Sequence, residues 1–181
     1  NTAGIAPPIL EALAAANAGF TPGYGDDDLT RKVERRLAAL FEREVAVFLV
    51  PTGTAANVLS LAHCAPPWGA VLCHAESHVA VDECGAPEFF GGGLKMVGLP
   101  GEGCKISAAV LKGALEAGPW GGPHHVTAAV LSLTQATEAG TVYRTEEVKA
   151  LTDLAHAHGL AVHMDGARFG NAVAQSNASP A

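Results

Sequence analysis

Two charged side chains, Asp165 and Arg168, follow an apolar run in the segment "GLAVHMDGARFG" (Gly159–Gly170). The run Leu160–Met164 indicates a buried strand, and a lone carboxylate at its end is costly unless it has a partner. Asp165 could pair with Arg168 or cap the following turn. It could also bind a protonated ring nitrogen of a ligand, and the two roles are compatible. The segment therefore predicts a structural ion pair, a ligand contact or both.

The segment "PTGTAAN" (Pro51–Asn57) has the composition of a phosphate-binding turn. Gly53 lets the backbone approach a ligand, Thr52 and Thr54 supply hydroxyls, and the amides that open the next helix attract anions. The segment has neither the GK[ST] of a P-loop nor the GxGxxG of a dinucleotide site. An ordinary turn with Thr54 as the helix N-cap explains the same residues. Both interpretations stay open.

His78 follows another apolar run, which ends at Cys73. A flat imidazole at the end of a strand could stack on an aromatic ligand, and a plain surface histidine is the alternative. Three other histidines, His156, His158 and His163, lie close in sequence. They predict no metal site, because helix positions i and i+2 do not face together. The four cysteines include no CxxC pair and are expected to be reduced thiols.

The elements that must position these residues alternate between short apolar runs and helical patterns. Predicted strands are Val45–Val50, Ala70–Cys73, Leu94–Leu99, Val126–Leu133 and Leu160–Met164. Predicted helices are 28–44, 54–65, 79–90, 107–118 and 145–159. Asp28 and Ser107 are predicted N-caps, while Gly118 and Gly159 are predicted helix ends. This alternation predicts an α/β fold of three layers, in which a mostly parallel sheet carries helices on both faces.

Parallel sheets of this kind bind ligands beyond the carboxyl ends of their strands. The predicted order of elements brings "PTGTAAN", "TQATEAG" and "DGAR" to one such edge. His78, just past Cys73, is expected at the same edge. The sequence therefore predicts a single ligand site assembled from distant segments.

Composition excludes some partners. Of the 181 residues, 49% are hydrophobic and 16% charged, which is typical of a globular domain. The formal net charge is −7 and there is no basic block, so binding to nucleic acid or an anionic membrane through bulk charge is not expected. No secretory signal and no apolar run of membrane-spanning length are visible, which predicts a cytoplasmic protein.

Five segments in order resemble the low-specificity L-threonine aldolases over nearly all of the chain. They are "YGDDD", "TGTAAN", "ESHVAVDECGAPEFF", "TQATEAGTVYR" and "HMDGARFGNA". These aldolases belong to the β-eliminating-lyase group of fold-type-I pyridoxal-phosphate enzymes. The chain is most similar to the branch that also handles phenylserine-like substrates. The resemblance implies the large domain of a pyridoxal-phosphate-dependent transferase-like fold.

The resemblance also implies a cofactor, pyridoxal 5′-phosphate, and assigns residues to it. They are Thr52, Gly53 and Thr54 at the phosphate, His78 stacked on the pyridine ring, Asp165 at the ring nitrogen and Arg168 beside the ring hydroxyl. The implied reaction cleaves the Cα–Cβ bond of a β-hydroxy-α-amino acid of the threonine, allo-threonine or phenylserine type. Its products are glycine and an aldehyde. His78 or a water that Glu83 orients is implied as the base.

Tyr24 resembles a family tyrosine that reaches the site of a neighbouring subunit, so a homodimer or homotetramer is expected. The alternative functions are a pyridoxal-phosphate-dependent β-eliminating lyase and a non-catalytic α/β domain. The chain departs from the family at Thr137, where many relatives carry a histidine. Any proton transfer assigned to that histidine does not carry over.

The resemblance also predicts how the chain is divided. Residues 1–30 are expected to form an N-terminal interface segment, and residues 31–181 an incomplete cofactor-binding domain without the family's small C-terminal domain. The Schiff-base lysine of the family lies beyond the strand that holds Asp165. No lysine here stands in a matching context; they are Lys32, Lys95, Lys105, Lys112 and Lys149. By itself this sequence is therefore expected to be inactive.

Overall fold

In a computed structural model that describes residues 4–181, the chain divides into two units. One holds the described residues up to Phe48 together with Pro180 and Ala181, and the other is Leu49–Ser179. The first contains helices α1 (Pro7–Ala16) and α2 (Asp28–Leu40). Neither helix has a buried residue.

The N-cap of α2 is Asp27, one residue before the predicted Asp28. Its carboxylate accepts a hydrogen bond of 2.9 Å from the backbone N–H of Thr30, which would otherwise lack a partner in the first turn. Asp28 instead opens the helix, where its negative charge suits the helix dipole. The two aspartates are adjacent, so composition alone does not tell which of them caps.

The second unit contains four strands and six helices. The strands are β1 (Gly69–His74), β2 (Lys95–Leu99), β3 (Thr127–Thr134) and β4 (Ala161–Asp165). The helices are α3 (Gly53–Cys64), α4 (His78–Val81), α5 (Ala86–Phe90), α6 (Ala108–Ala117), α7 (Thr145–Ala157) and α8 (Phe169–Ser176), with a 3-10 turn at Glu102–Cys104. Within residues 4–181, no helix is long and apolar enough to cross a membrane.

The four strands form one sheet in the order β2-β1-β3-β4, and all three pairings are parallel. Successive residues of β3 alternate between two hydrophobic clusters, as the pleat of a strand requires. Leu131 packs in the cluster that includes Leu111 of α6 and Leu151 of α7. Val130 packs in the cluster that includes Leu61 of α3. Helices therefore cover both faces, which confirms the predicted three-layer α/β fold.

The predicted strand Val45–Val50 is wrong. Those residues are irregular, and the side chains of Phe48 and Leu49 are exposed. An apolar run forms a strand only where a neighbouring strand satisfies its backbone N–H and C=O groups. None of the four described strands pairs with this segment.

The predicted helix 79–90 is two short helices, α4 and α5. The break falls at Cys84 and Gly85, whose φ angles of 57° and 71° lie in the left-handed region that no right-handed helix accommodates. The intervening turn contains Glu83, whose side chain is fully buried. The other predicted caps, Ser107 and Gly118 of α6, are confirmed.

A buried histidine, His163, occupies the middle of β4. Its Nδ1 lies 2.8 Å from the hydroxyl oxygen of Ser132, which is its partner in the β3–β4 register. Burial lowers the pKa of His163 below its usual 6.5, and the nearby carboxylate of Asp165 offsets this in part. The folded state therefore holds the neutral imidazole, whereas an unfolded chain takes up a proton near pH 6.5.

This linkage makes stability depend on pH. The contribution of His163 is fully present above pH 6.5 and is lost as the pH falls from 6.5 toward the lowered pKa of the folded state. We expect the free energy of unfolding to decrease there by up to about 1.4 kcal/mol per pH unit. Denaturant titrations between pH 5 and 8 measure this slope.

The variant His163→Gln should have a shallower slope over the same pH range. His124→Gln, at an exposed loop histidine, is the matched control and should keep the parental slope. Equal slopes for His163→Gln and the parent protein would contradict the assignment.

Candidate active site

Polar side chains from the end of β4 and from the segments that follow β1 and β3 meet at the carboxyl edge of the sheet. Asp165 is the last residue of β4 and pairs with Thr134, the last residue of β3. His78 lies four residues beyond β1, and Glu138 four residues beyond β3. The backbone N–H of His78 donates to Glu138 Oε1 at 3.0 Å, which joins the loops that follow β1 and β3. The structure thus brings together the segments that the sequence predicted to share one edge.

His78 forms a pair with a buried carboxylate. Its Nδ1 lies 2.9 Å from Glu83 Oε1, and the Glu83 side chain is 0% exposed while that of His78 is 43% exposed. An ionised Glu83 can only accept, so the hydrogen of this bond belongs to Nδ1 and the lone pair of a neutral imidazole is on Nε2. Glu83 therefore fixes both the orientation and the tautomer of His78.

Asp165 is held by two donors from the chain. Its Oδ1 accepts from the backbone N–H of Ala167 at 3.0 Å, and its Oδ2 accepts from Asn57 Nδ2 at 3.2 Å. The same nitrogen of Asn57 donates to Glu83 Oε1 at 2.7 Å. Asp165 is half-buried, and each carboxylate oxygen has a second lone pair that could accept from a ligand.

Arg168 pairs with Glu138, so the predicted alternative of an Asp165–Arg168 ion pair is wrong. Its Nε donates to the carbonyl of Ala136 at 2.9 Å, and an Nη lies 3.5 Å from Glu138 Oε1. Asp165 is left with neutral donors. The remaining N–H groups of Arg168 are free to contact a ligand, because a guanidinium carries five.

The start of α3 is the predicted phosphate site. The N-cap is Thr52 and not the predicted Thr54: its hydroxyl oxygen accepts from the backbone N–H of Ala55 at 3.1 Å. The Thr52 hydroxyl proton stays available. The amides of Gly53 and Thr54 make no hydrogen bond within the described part of the chain, and a methyl group on Gly53 would meet no atom within 4 Å. This end of the helix is open to an anion.

The loop that carries Glu138 is itself fixed by hydrogen bonds. Gln135 and Tyr143 are joined by two, of 2.9 and 3.0 Å, between the amide side chain of one and the backbone of the other. Thr137 is buried, and its hydroxyl donates to the carbonyl of Gly103 at 3.1 Å. Thr137 therefore holds this loop to the turn that contains Gly103.

The sequence patterns do not single out two residues at this edge, Asn57 and Glu138. Asn57 is part of "PTGTAAN" and looks like an ordinary helix residue. The signal that could have revealed it is a polar residue on the otherwise apolar buried face of α3, beside Val58 and Leu61. Glu138 was an acidic residue in "TQATEAG" with no visible partner. Tyr24, in contrast, is fully exposed in a turn of the N-terminal unit.

One ligand-type atom each of His78, Glu83 and Asp165 lies within 4.8 Å of the others, a spacing that could suit a metal ion. Asn57 directs its two N–H groups at these carboxylates, and such donors repel a cation. A second group, His74, Glu76 and Cys104, has its imidazole occupied. Both ring nitrogens of His74 bond to backbone atoms, of Glu76 and Gly101. Hydrogen bonding explains both groups without a metal.

The fold and this edge define a class: a layered α/β protein with a mostly parallel sheet and a carboxylate-rich ligand site at the ends of the strands. Within that class, the family model for beta-eliminating lyases matches residues 1–181. The chain belongs to this family, as the sequence predicted.

Relatives agree. The chain is 43% identical over 182 residues to the low specificity L-threonine aldolase of Pseudomonas aeruginosa and 41% identical to that of a Pseudomonas species, and each alignment covers 100% of this chain and 52% of the relative. A solved threonine aldolase of Leishmania major superposes with a TM-score of 0.88 at 30% identity, over 95% of this chain and 49% of that one. The chain spans about half the length of the curated relatives it matches.

Replacing Glu138 tests whether its carboxylate joins the segments that follow β1 and β3. In Glu138→Ala, the backbone N–H of His78 and the guanidinium of Arg168 both lose a partner. We expect the free energy of unfolding to fall by about 1–3 kcal/mol, as for other lost partners of buried donors. Glu138→Gln retains an acceptor oxygen and should lose less. Chemical denaturation of the three proteins measures the difference.

The matched control is Glu116→Ala, since Glu116 forms an exposed pair with Lys112 at 3.7 Å. Its stability should change by less than about 0.5 kcal/mol. If Glu138→Ala were as stable as this control, Glu138 would not join the two loops.

Proposed function

We propose that these residues belong to a pyridoxal-phosphate-dependent lyase that cleaves the Cα–Cβ bond of a β-hydroxy-α-amino acid to glycine and an aldehyde. One observation carries the proposal: a half-buried Asp165 carboxylate, held by neutral donors, lies at the same edge as a His78 whose ring is oriented by Glu83. Family membership and the aldolase relatives support it. The substrate is of the threonine, allo-threonine or phenylserine type.

The residues present fit the cofactor by the chemistry of their donors and acceptors. Asp165 is an acceptor for a protonated ring nitrogen, and no cation pairs with it among the described residues. The free amides of Gly53 and Thr54, with the hydroxyl of Thr52, suit the phosphate. When bound, the cofactor supplies an electron sink for the carbon–carbon bond that breaks.

The half-exposed ring of His78 is proposed to stack on the cofactor ring, and Arg168 to contact its hydroxyl side. In a neutral His78, Nε2 can accept the β-hydroxyl proton of the substrate, because Glu83 holds the hydrogen on Nδ1. Glu83 thereby acts on His78 directly, in addition to any water that it orients. The Glu83 Oε2 atom is buried without a partner in the described part of the chain, so its lone pairs are not used by other side chains there.

The charge of the edge favours a cationic group. Asp165, Glu83 and Glu138 contribute three carboxylates, against the single permanent cation Arg168. A protonated pyridine ring reduces this excess of negative charge. In a site shielded from water, the bond between such a ring and Asp165 is stronger than one between neutral groups.

Within residues 4–181, no lysine is hydrogen-bonded to the proposed cofactor-binding residues. The three whose ammonium groups are paired contact Glu147, Glu116 and Asp153, and they are Lys105, Lys112 and Lys149. We propose that the covalent link to the cofactor uses another lysine. Residues 1–181 by themselves would then bind the cofactor non-covalently and would not catalyse the reaction. Residues 31–181 would be the cofactor-binding part.

The assembly is proposed to be a cytoplasmic homodimer or homotetramer. Tyr24, which is fully exposed in the N-terminal unit, would then reach the site of a neighbouring subunit. Residues 1–30 would form the interface. The exposed apolar residues of α1, which include Ile9 and Leu13, support this role for the segment.

The proposal is tested on the full-length protein that contains these residues. It should bind pyridoxal phosphate with a visible absorbance and release glycine and an aldehyde from threonine or phenylserine. In Asp165→Ala, the cofactor should bind roughly 10- to 100-fold more weakly, since hydrogen bonds to charged groups contribute about 1.5–3 kcal/mol. Spectroscopic titration and product analysis measure both.

Asp153→Ala is the control, because Asp153 is an exposed carboxylate on α7 paired with Lys149. It should bind the cofactor like the parent protein. A colourless parent protein in excess cofactor would overturn the proposal. Pyruvate and ammonia in place of glycine would establish β-elimination, and cofactor binding that Asp165→Ala leaves unchanged would favour a structural carboxylate.

A further inference from the structure

Asn57 is a buried polar residue that touches two of the proposed site residues. It lies one turn into α3 and is 5% exposed. The other buried residues of α3, Val58 and Leu61, are apolar, and Leu61 packs in the cluster that includes Val130 of β3. A buried amide among apolar neighbours is destabilising unless it is hydrogen-bonded. The partners of Asn57 therefore show what the residue is for.

Both partners are carboxylates. Nδ2 of Asn57 donates to Glu83 Oε1 at 2.7 Å and to Asp165 Oδ2 at 3.2 Å. A primary amide has two N–H groups on one nitrogen, so it can serve two acceptors at once. The orientation of the amide follows, because its oxygen would repel either carboxylate.

The type of residue matters as much as its position. One carboxylate oxygen of Glu83 and one of Asp165 lie within 4.8 Å of each other. Two carboxylates this close repel each other in a partly buried site. A lysine or arginine would hold them together but would neutralise one of them. An apolar residue would remove one donor from each carboxylate and the link between them. An asparagine holds them together and leaves both negative charges in place.

The two carboxylates have different tasks. Glu83 orients the ring of His78, and Asp165 is the acceptor for the ring nitrogen of the cofactor. We propose that Asn57 is a positioning residue that fixes these two carboxylates relative to each other, and through them the imidazole relative to the cofactor ring. The proposal rests on the proposed function. It predicts that Asn57 affects cofactor binding without touching the cofactor.

The test compares Asn57→Leu, which has a similar volume and no donor, with the parent full-length protein. Cofactor is removed, and the dissociation constant of added pyridoxal phosphate is measured by spectroscopic titration. We expect it to rise roughly 10- to 100-fold, because a donor to each of two charged acceptors is lost. The ability of inorganic phosphate to compete should be unchanged, since the amides at the start of α3 are intact.

A purely structural role for Asn57 predicts a different pattern. It would lower the thermal midpoint of the cofactor-free protein but leave cofactor affinity within twofold of the parent. A double-mutant cycle with Asp165→Asn separates the two. If Asn57 acts through Asp165, the double variant loses less affinity than the product of the two single losses. Multiplicative losses would overturn the proposal.

Asn171, an exposed residue of α8, provides the matched control. Asn171→Leu should bind pyridoxal phosphate like the parent, and an equal loss in this variant would also overturn the proposal. Should Asn57→Leu fail to fold, Asn57→Ser replaces it. A serine hydroxyl donates one hydrogen bond, so the dissociation constant should rise by less than for a variant with no donor but by more than twofold.

The outcomes separate this proposal from the proposed function. If the parent protein binds no pyridoxal phosphate, the function fails and Asn57 cannot position the cofactor. If the parent binds it and Asn57→Leu or Asn57→Ser binds equally well, only the positioning role fails. A raised dissociation constant with unchanged phosphate competition supports both.

Discussion

Negative charge gathered at one edge of a parallel sheet is the constraint on which this structure depends. Glu83, Glu138 and Asp165 come from three segments, and their mutual repulsion must be offset by donors that stay in place. The donors are an amide, an imidazole, a guanidinium and backbone N–H groups. Because most of them are neutral, the edge keeps an excess of negative charge that a cationic ligand group can satisfy.

Side chains alternate between the two faces of β4, and this alternation decides which helix packs beside Asp165. In β4, Ala161 packs in the cluster that includes α3, whereas Val162 packs against the cluster that includes α6 and α7. Asp165 therefore shares a face with Ala161 and with His163. This is the face that α3 covers, so Asn57 can reach Asp165. A shift of one residue in the β3–β4 register would turn Asp165 toward the other helices and separate it from Asn57.

The sequence was informative where a local pattern decides the structure. The four strands of the sheet and the position of Asp165 at a strand end follow from apolar periodicity, and the shared edge follows from parallel topology. Val45–Val50 was wrong because strand formation also needs a neighbour, which no local pattern shows. The helix predicted for 79–90 was wrong because the conformations of Cys84 and Gly85 interrupt it.

Asn57 and Glu138 show a different limit of the sequence. Asn57 and Asp165 are 108 residues apart, and His78 and Glu138 are 60 apart. In a single sequence, an asparagine in a helix or an acidic residue in a loop looks the same whether or not it has such a partner. Asp165, Arg168 and His78 stand in distinctive sequence segments and can be recognised there. Asn57 and Glu138, which hold them in position, cannot.

The start of α3 and Asn57 lie on one rigid element. Gly53 and Asn57 are four residues apart, so about 6 Å of helix axis separates the open amide of Gly53 from the residue that holds the two carboxylates. A helix does not stretch as a loop does. Under the proposed function, a ligand whose anionic and cationic groups are spaced differently would not reach the amides and Asp165 at once. The helix proposed to bind the phosphate would thereby also select ligands by their length.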